Sequence, residues 1–215
     1  MDRRAVIKAL TATVVLLAGQ TASSLPAAEA ASGGGGWTVQ TLEAFADTLV
    51  PGQRRFSGDH AIAGVVQGPG AVQAGAVQLL QSPDLPLHPF LPGIAALLNT
   101  RATGYAARNL IWLPLTRPAF VGLSFSHRTE LVSGLFDAGD VDRQIWQILS
   151  LLSGLAFDSA SGCDTAEATS QQHPGLAWLG FPPPDADGLW RFPQHSYGRA
   201  LADLHPKTTY SGSPV

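Results

Sequence analysis

The six histidines are the first residues of this chain to test for chemistry, because histidine binds metals and transfers protons near neutral pH. A helical zinc pair needs two histidines three or four residues apart, so that both side chains share one face. No two histidines of this chain have that spacing, and three of them precede a proline. The set is His60, His88, His127, His173, His195 and His205. We therefore expect surface or hydrogen-bonded histidines rather than metal ligands.

Nucleophilic, acid–base and phosphate-binding patterns are also missing. Ser124, Ser126 and His127 lie close together, but no Gly-x-Ser-x-Gly elbow surrounds them. The run Gly68-Pro69-Gly70 lacks the Gly-Lys-Ser/Thr ending of a phosphate loop. Two sets of neighbouring acidic residues fit helix capping or an ordinary loop better than a calcium site. These groups are Asp137, Asp140 and Asp142, and Asp158, Asp164 and Glu167. We predict no catalytic, cofactor-binding or metal-binding residue in this chain.

One polar cluster leaves a second hypothesis open. Arg54, Arg55, Asp59 and His60 fall in a glycine-containing loop between two predicted helices. Together they could line a pocket. The alternative function is therefore an independent exported enzyme, or a ligand-binding helical domain, of unknown chemistry.

Composition limits the classes of partner. The chain has 215 residues, a net charge of −3 and 13% charged residues. A mildly acidic chain offers no electrostatic footprint for nucleic acid or for an anionic membrane. The charged fraction is well below the ~25% typical of soluble proteins. Either a partner covers part of the surface, or the Ala/Gly-rich composition reflects coding bias, and both explanations stay open.

Apolar residues at helical spacing predict an all-α mature part. We expect an irregular bundle of about five helices, joined by long proline- and glycine-rich connectors. The predicted helices cover about 38–50, 71–81, 93–110, 126–136 and 141–157. Val50-Pro51-Gly52 should end the first helix, because proline cannot continue it. The broad apolar stripe of the last helix, from Ile145 to Leu155, predicts a central position in the bundle.

After residue 160 the chain becomes rich in proline, glycine and aromatic residues. We predict that residues 161–215 form an extended, wrapping C-terminal segment, with 173–184 extended. Disordered tails are poor in aromatics, so this segment should pack on its own helices, on a partner, or on both. The candidate partner contacts are Trp178, Phe181, Trp190, Tyr197 and Arg199. For Cys163, the single cysteine, we prefer a tolerated loop thiol to an intermolecular disulfide.

The N-terminal stretch Asp2-Arg3-Arg4-Ala5-Val6-Ile7-Lys8 resembles a twin-arginine export signal. An apolar run follows over residues 9–19, too short for the roughly 20 residues of a spanning helix. Ala28-Glu29-Ala30 fits a cleavage site. We predict a cleaved signal peptide over 1–30, a flexible linker over 31–36 and a helical domain over 37–160. The mature protein would have no membrane anchor and would be periplasmic, cell-wall-bound or extracellular.

Two segments resemble the gluconate 2-dehydrogenase subunit 3 family. Thr41–Gly52 is similar to the opening motif of that family, in which a helix ends in Ala-Asp-x-Leu-Ile/Val-Pro-Gly. Gly180-Phe181-Pro182 stands where its actinobacterial relatives have Gly-Tyr-Pro, and Ser196–Leu201 resembles a stretch further on. The middle of the chain departs freely from the family.

The resemblance implies a non-catalytic small subunit. Members accompany a flavin-dependent dehydrogenase of the glucose–methanol–choline (GMC) type, which holds FAD and oxidises a sugar or an alcohol. The expected partners are this large subunit and the twin-arginine translocase, with no cofactor in the present chain. By the same analogy Asp47 would bond loop amides at the helix end, and Pro51 would terminate the helix.

Overall fold

The computed structural model describes residues 34–183, which form eight α-helices and no β-strand. The predicted all-α class is confirmed. The helices are α1 (Gly34–Leu49), α2 (Ala76–Leu80), α3 (Leu91–Arg108), α4 (Ala119–Gly122), α5 (Phe125–Leu135), α6 (Arg143–Ser159), α7 (Thr165–Ser170) and α8 (Pro174–Trp178). A 3₁₀ turn at His88–Phe90 leads into α3. None of the helices in this part of the chain is long and apolar enough to cross a membrane.

Helix α1 occupies the centre of the fold. It contacts α2, α3, α4, α5 and α6, and it buries Leu42, Phe45 and Ala46. Phe45 meets Trp146 of α6 with ring centroids 6.0 Å apart. Helix α6, for which we predict a central position, also faces the core, where its Trp146 and Leu149 are fully buried. That helix packs on α1, α2 and α8 and leaves Leu151 44% exposed.

Helices α3, α5 and α6 begin and end within a few residues of the predicted bounds. Three other predictions need correction. Helix α1 begins at Gly34, so its first turn overlaps the predicted linker 31–36. Residues 71–75 form turns, since Gly75 adopts a left-handed conformation (φ +84°) that interrupts the predicted second helix.

The third correction concerns the C-terminal end of the described residues. Within the segment 161–215 that we predict to be extended, residues 165–170 and 174–178 are helical. Pro174 stands in the first turn of α8, where its missing N–H leaves no helical hydrogen bond unmade. Gly180 (φ +68°) then ends the helix, and the Phe181 N–H bonds the Leu176 carbonyl at 2.9 Å.

Several predicted site residues lie outside residues 34–183. They are the export residues Arg3, Arg4, Lys8, Ala28 and Ala30, and the candidate partner contacts Trp190, Tyr197 and Arg199.

Candidate functional site

Asp47 holds the loop that follows α1. Its side chain is buried, and its two carboxylate oxygens accept hydrogen bonds from the N–H groups of Gly52 (3.0 Å) and Ala63 (2.8 Å). Burial raises the pKa of Asp47, although the two amides and the charge of Arg128 act in the opposite direction. The expectation that Asp47 bonds loop amides is confirmed, and its role is structural.

Arg128 of α5 fastens the same loop from the other side. Arg128 is 3% exposed, and its guanidinium donates to four backbone carbonyls. The acceptors are Leu123 (3.1 Å), Ala61 (2.7 Å), His60 (2.8 Å) and Val121 (2.7 Å). Burial lowers the pKa of Arg128 to about 10, so the group remains a cation at neutral pH. Sequence reasoning missed this residue; its one sign was the shared helical face with Leu131 and Leu135.

Arg55 completes the arrangement as an ion-pair centre. It makes a two-pronged contact with Glu43 of α1 (2.6 and 2.8 Å) and a second one with Asp59 (2.7 and 3.3 Å). Asp59 also accepts the Ile62 N–H at 3.3 Å. We call this set the loop lock; its members are Glu43, Asp47, Arg55, Asp59 and Arg128.

The four residues that could have lined a pocket, Arg54, Arg55, Asp59 and His60, bond within or beside the loop lock. Arg55 and Asp59 pair with each other, and Arg54 donates to the Ile62 carbonyl at 3.3 Å. The His60 carbonyl accepts from Arg128. The hydrogen bonds of these residues thus hold residues 53–63 against α1 and α5, while Arg54, Arg55 and His60 are exposed.

The pH dependence of stability tests the Asp59 part of the lock. Burial alone would raise the pKa of Asp59, but hydrogen bonds from Arg55 and the Ile62 N–H, with the Arg55 charge, leave it below 3.8. A carboxylate with a lowered folded-state pKa stabilises above its unfolded pKa, and this contribution disappears as pH falls through the folded pKa. The stability advantage of the wild type over Asp59→Asn should therefore be full near neutrality and shrink below pH 3.8. Urea unfolding between about pH 7 and about pH 3 measures it; an advantage that stays constant would contradict this role.

Other polar candidates have structural partners. The Ser124 hydroxyl caps α5 by accepting the His127 N–H at 3.4 Å. Arg101 of α3 pairs with Asp140 (3.3 Å) and Asp142 (2.8 Å), which ties α3 to the start of α6. Within residues 34–183, no three His, Cys, Asp or Glu side chains are grouped so that they could hold a metal ion.

An apolar surface forms where α8 meets the loop before α2. The Trp178 ring lies on the backbone of Gly68, where a Cβ would come within 2.8 Å of the ring. The ring is nevertheless 61% exposed, and Leu179 and Phe181 beside it are also exposed. Two exposed valines lie two and three residues before Gly68 in the same loop. We call this set the C-terminal apolar surface; its members are Val65, Val66, Trp178, Leu179 and Phe181.

Close contacts mount this surface on the helical core. Gly175 of α8 lies so near α6 that a Cβ there would overlap the Phe157 carbonyl oxygen. The His173 ring donates from Nε2 to the Ala74 carbonyl at 3.0 Å. Leu176 is buried against Ala160 and Ala168. The exposed tryptophan therefore stands on a fixed base.

Residues 36–215 match a family that is described as "Family of unknown function (DUF5987)". The chain belongs to this family. Neither a curated protein nor a solved structure matches it.

Of the partner contacts predicted in this DUF5987 chain, two lie in the described part. Trp178 and Phe181 are both exposed there and belong to one surface. Sequence reasoning missed the contribution of Val65 and Val66, because only the fold brings their loop to α8. The contact between Gly68 and the Trp178 ring was not predictable from the sequence either, because only the folded chain brings the two residues together.

Proposed function

We propose that this protein is a non-catalytic small subunit. It binds and stabilises a folded FAD-dependent dehydrogenase of the GMC type and leaves the cell with it by the twin-arginine route. The observation that carries the proposal is the C-terminal apolar surface. Its tryptophan is fixed from below by Gly68 and left open to solvent above.

Exposed apolar residues scattered singly are ordinary, but a grouped set marks an interaction site. Tryptophan is among the residue types that dominate binding energies at protein interfaces. A fixed side chain also loses little conformational entropy on binding, which increases affinity. The chain continues from this surface into residues 184–215, which carry Trp190, Tyr197 and Arg199. We expect these three residues to extend the contact area with the partner.

The nature of the partner rests on resemblance. Thr41–Gly52 and Gly180-Phe181-Pro182 resemble gluconate 2-dehydrogenase subunit 3, a small companion of flavin-dependent dehydrogenases. Arg3 and Arg4 belong to a stretch that resembles the twin-arginine signal, and the twin-arginine route carries folded proteins. The resemblance implies that the large subunit folds and takes up FAD in the cytoplasm, so a flavoprotein without its own signal would gain from a partner that has one. The reaction expected of that partner is oxidation of a sugar or an alcohol.

The alternative is an independent exported enzyme or ligand-binding domain built around Arg54, Arg55, Asp59 and His60. The loop lock argues against it, because the side chains of Arg54, Arg55 and Asp59 and the carbonyl of His60 bond within the protein. Activity of the purified chain alone on an alcohol or a sugar would revive this alternative and contradict the proposal.

Export of the flavoprotein tests the proposed function. We expect a neighbouring gene to encode a GMC-type flavoprotein without an export signal, and the full chain is co-expressed with that protein. We expect flavoprotein activity outside the cytoplasm with the wild type and its loss with the double variant Arg3→Lys, Arg4→Lys. Export that persists in the double variant would contradict the proposal, as would the absence of co-purification.

A matched pair of aromatic substitutions tests the surface itself. Trp178→Ala should weaken binding of the flavoprotein by at least about tenfold, the usual effect of losing an interface tryptophan. Phe56 is 60% exposed and lies outside the C-terminal apolar surface, so Phe56→Ala is the control and should bind like the wild type. Equal affinity of Trp178→Ala and the wild type would remove this surface from the interface.

A further inference from the structure

The connector between α3 and α4 carries a second exposed apolar group, distant in sequence from the C-terminal apolar surface. Leu110, Trp112 and Leu115 are 95%, 80% and 92% exposed. We call these three residues the apolar tip. All three are among the most exposed large apolar side chains that the structure describes, and they lie within six consecutive residues.

Leu110 occupies a position that favours glycine. It stands just beyond α3 in the left-handed conformation (φ +55°), and the Ile111 N–H bonds the Ala106 carbonyl at 2.9 Å. This is the usual helix-ending motif in which glycine takes the left-handed position, because a side chain is strained there. Leucine adds a strained backbone to an apolar side chain in water. Neither feature helps the isolated fold.

The tip is nevertheless held in place. Ile111 and Leu113, which alternate with the exposed residues, pack against the core. Gly122 of α4 lies against the connector, so that a Cβ there would come within 3.0 Å of Pro114 and 3.3 Å of Leu113. The exposed side chains are therefore presented by an anchored segment, which lowers the entropy lost on binding.

The stretch of sequence that contains the tip is basic, and one carboxylate from outside it, that of Glu130 in α5, bonds the Tyr105 hydroxyl of α3 at 2.7 Å. No acidic residue occurs from 85 to 129, while the same stretch holds four arginines. Arg101 pairs with Asp140 and Asp142, and Arg128 is buried. Arg108 and Arg117 remain, and they flank the tip in sequence, two residues before Leu110 and two after Leu115.

We propose that the apolar tip inserts into an apolar pocket with a carboxylate rim on the partner subunit. This deepens the proposed function and rests on it. Arginine beside tryptophan is a typical interface pairing, and acidic groups around the pocket would complement Arg108 and Arg117. A lipid surface fits less well. Recognition of anionic lipid takes clusters of about 4–8 basic residues, and the tip offers two uncommitted ones on a chain of net charge −3.

Two substitutions of the tip and one control test the proposal in the full chain, titrated against the co-expressed flavoprotein. Trp112→Ala should weaken binding at least about tenfold, as loss of a central tryptophan does. Leu110→Gly should weaken it severalfold without lowering the melting temperature, because glycine relieves the left-handed strain. Val141 is 83% exposed, lies two residues before α6 and is not part of the tip, so Val141→Ala is the control and should bind like the wild type.

The outcomes separate the two proposals. If the wild type does not bind the flavoprotein, the proposed function fails and the tip proposal fails with it. If the wild type binds and Trp112→Ala binds equally well, only the tip proposal is overturned. Sedimentation of the wild type, but not of Trp112→Ala, with phosphatidylglycerol vesicles would assign the tip to a membrane and overturn it. Self-association lost in Trp112→Ala would do the same in favour of a second copy.

Discussion

Arg128→Ala is expected to lower the free energy of unfolding by several kcal/mol, because each buried carbonyl left without its donor costs about 1–3 kcal/mol. The wild-type guanidinium satisfies four carbonyls that come from two separate segments, 60–61 and 121–123. Alanine would leave them without these donors in a buried environment. It would also remove the cation that lowers the pKa of the buried Asp47 carboxyl. Urea unfolding followed by circular dichroism measures the difference.

Two further variants separate geometry from charge at this position. Arg128→Lys keeps the charge, but a single ammonium cannot reach four carbonyls arranged around a planar guanidinium. It should therefore recover only part of the loss. Arg108→Ala, at an exposed arginine of α3, is the control and should stay within about 0.5 kcal/mol of the wild type. An Arg128→Ala variant as stable as this control would show that the loop lock contributes nothing.

Gly175→Ala is expected to release α8 from α6. The added Cβ would overlap the Phe157 carbonyl oxygen, which belongs to a helix backbone and cannot turn aside as a flexible side chain would. Overpacking of this kind costs typically 1–3 kcal/mol and more when backbone must move. We expect the amides of α8, and that of Leu179 just after it, to lose their protection from hydrogen exchange. Binding of the flavoprotein should weaken with them, because the seat of Trp178 is lost.

Gly154→Ala provides the matched control for this substitution. Gly154 lies in α6, the helix on which α8 packs, and a Cβ there meets nothing within 4 Å. In a helix interior alanine is more stable than glycine by about 0.5–1 kcal/mol, so this variant should be as stable as the wild type or more stable. If Gly175→Ala keeps the hydrogen-exchange protection of α8, the close approach of α8 and α6 is not what fixes the C-terminal apolar surface.

The end of α1 was predictable because its determinants are local. Val50-Pro51-Gly52 stops a helix by covalent geometry alone. The bonds of Asp47 to loop amides followed from the resemblance of Thr41–Gly52 to a known motif. Helices α3, α5 and α6 were also predictable in outline, since their apolar residues recur at helical spacing and their connectors contain proline or glycine.

Errors arose where a local sign was overridden or outweighed. Pro174 and Gly180 are a normal helix start and stop, but the many neighbouring prolines favoured an extended interpretation. The apolar stripe of α6 faces the core, but spacing alone did not show that Leu151, beside that stripe, would be 44% exposed. Spacing shows which residues share a face, and it does not show how much of that face a neighbour covers.

The loop lock and both apolar groups depend on contacts between distant segments. Arg128 reaches carbonyls 67 and 68 residues earlier in the chain. Trp178 sits on Gly68, more than a hundred residues before it. No periodicity or short motif contains such pairs. The exposure of Leu110 was equally hidden, because leucine at the end of a helical pattern normally predicts burial.

The most direct test of the central claim is size-exclusion chromatography of the full chain co-expressed with the neighbouring GMC-type flavoprotein. The visible absorbance of bound FAD reports the flavoprotein, and an immunoblot reports the present chain. We predict one peak that contains both and that separates into two when Trp178 is replaced by alanine. Elution of the wild-type chain apart from the flavin absorbance would contradict the account.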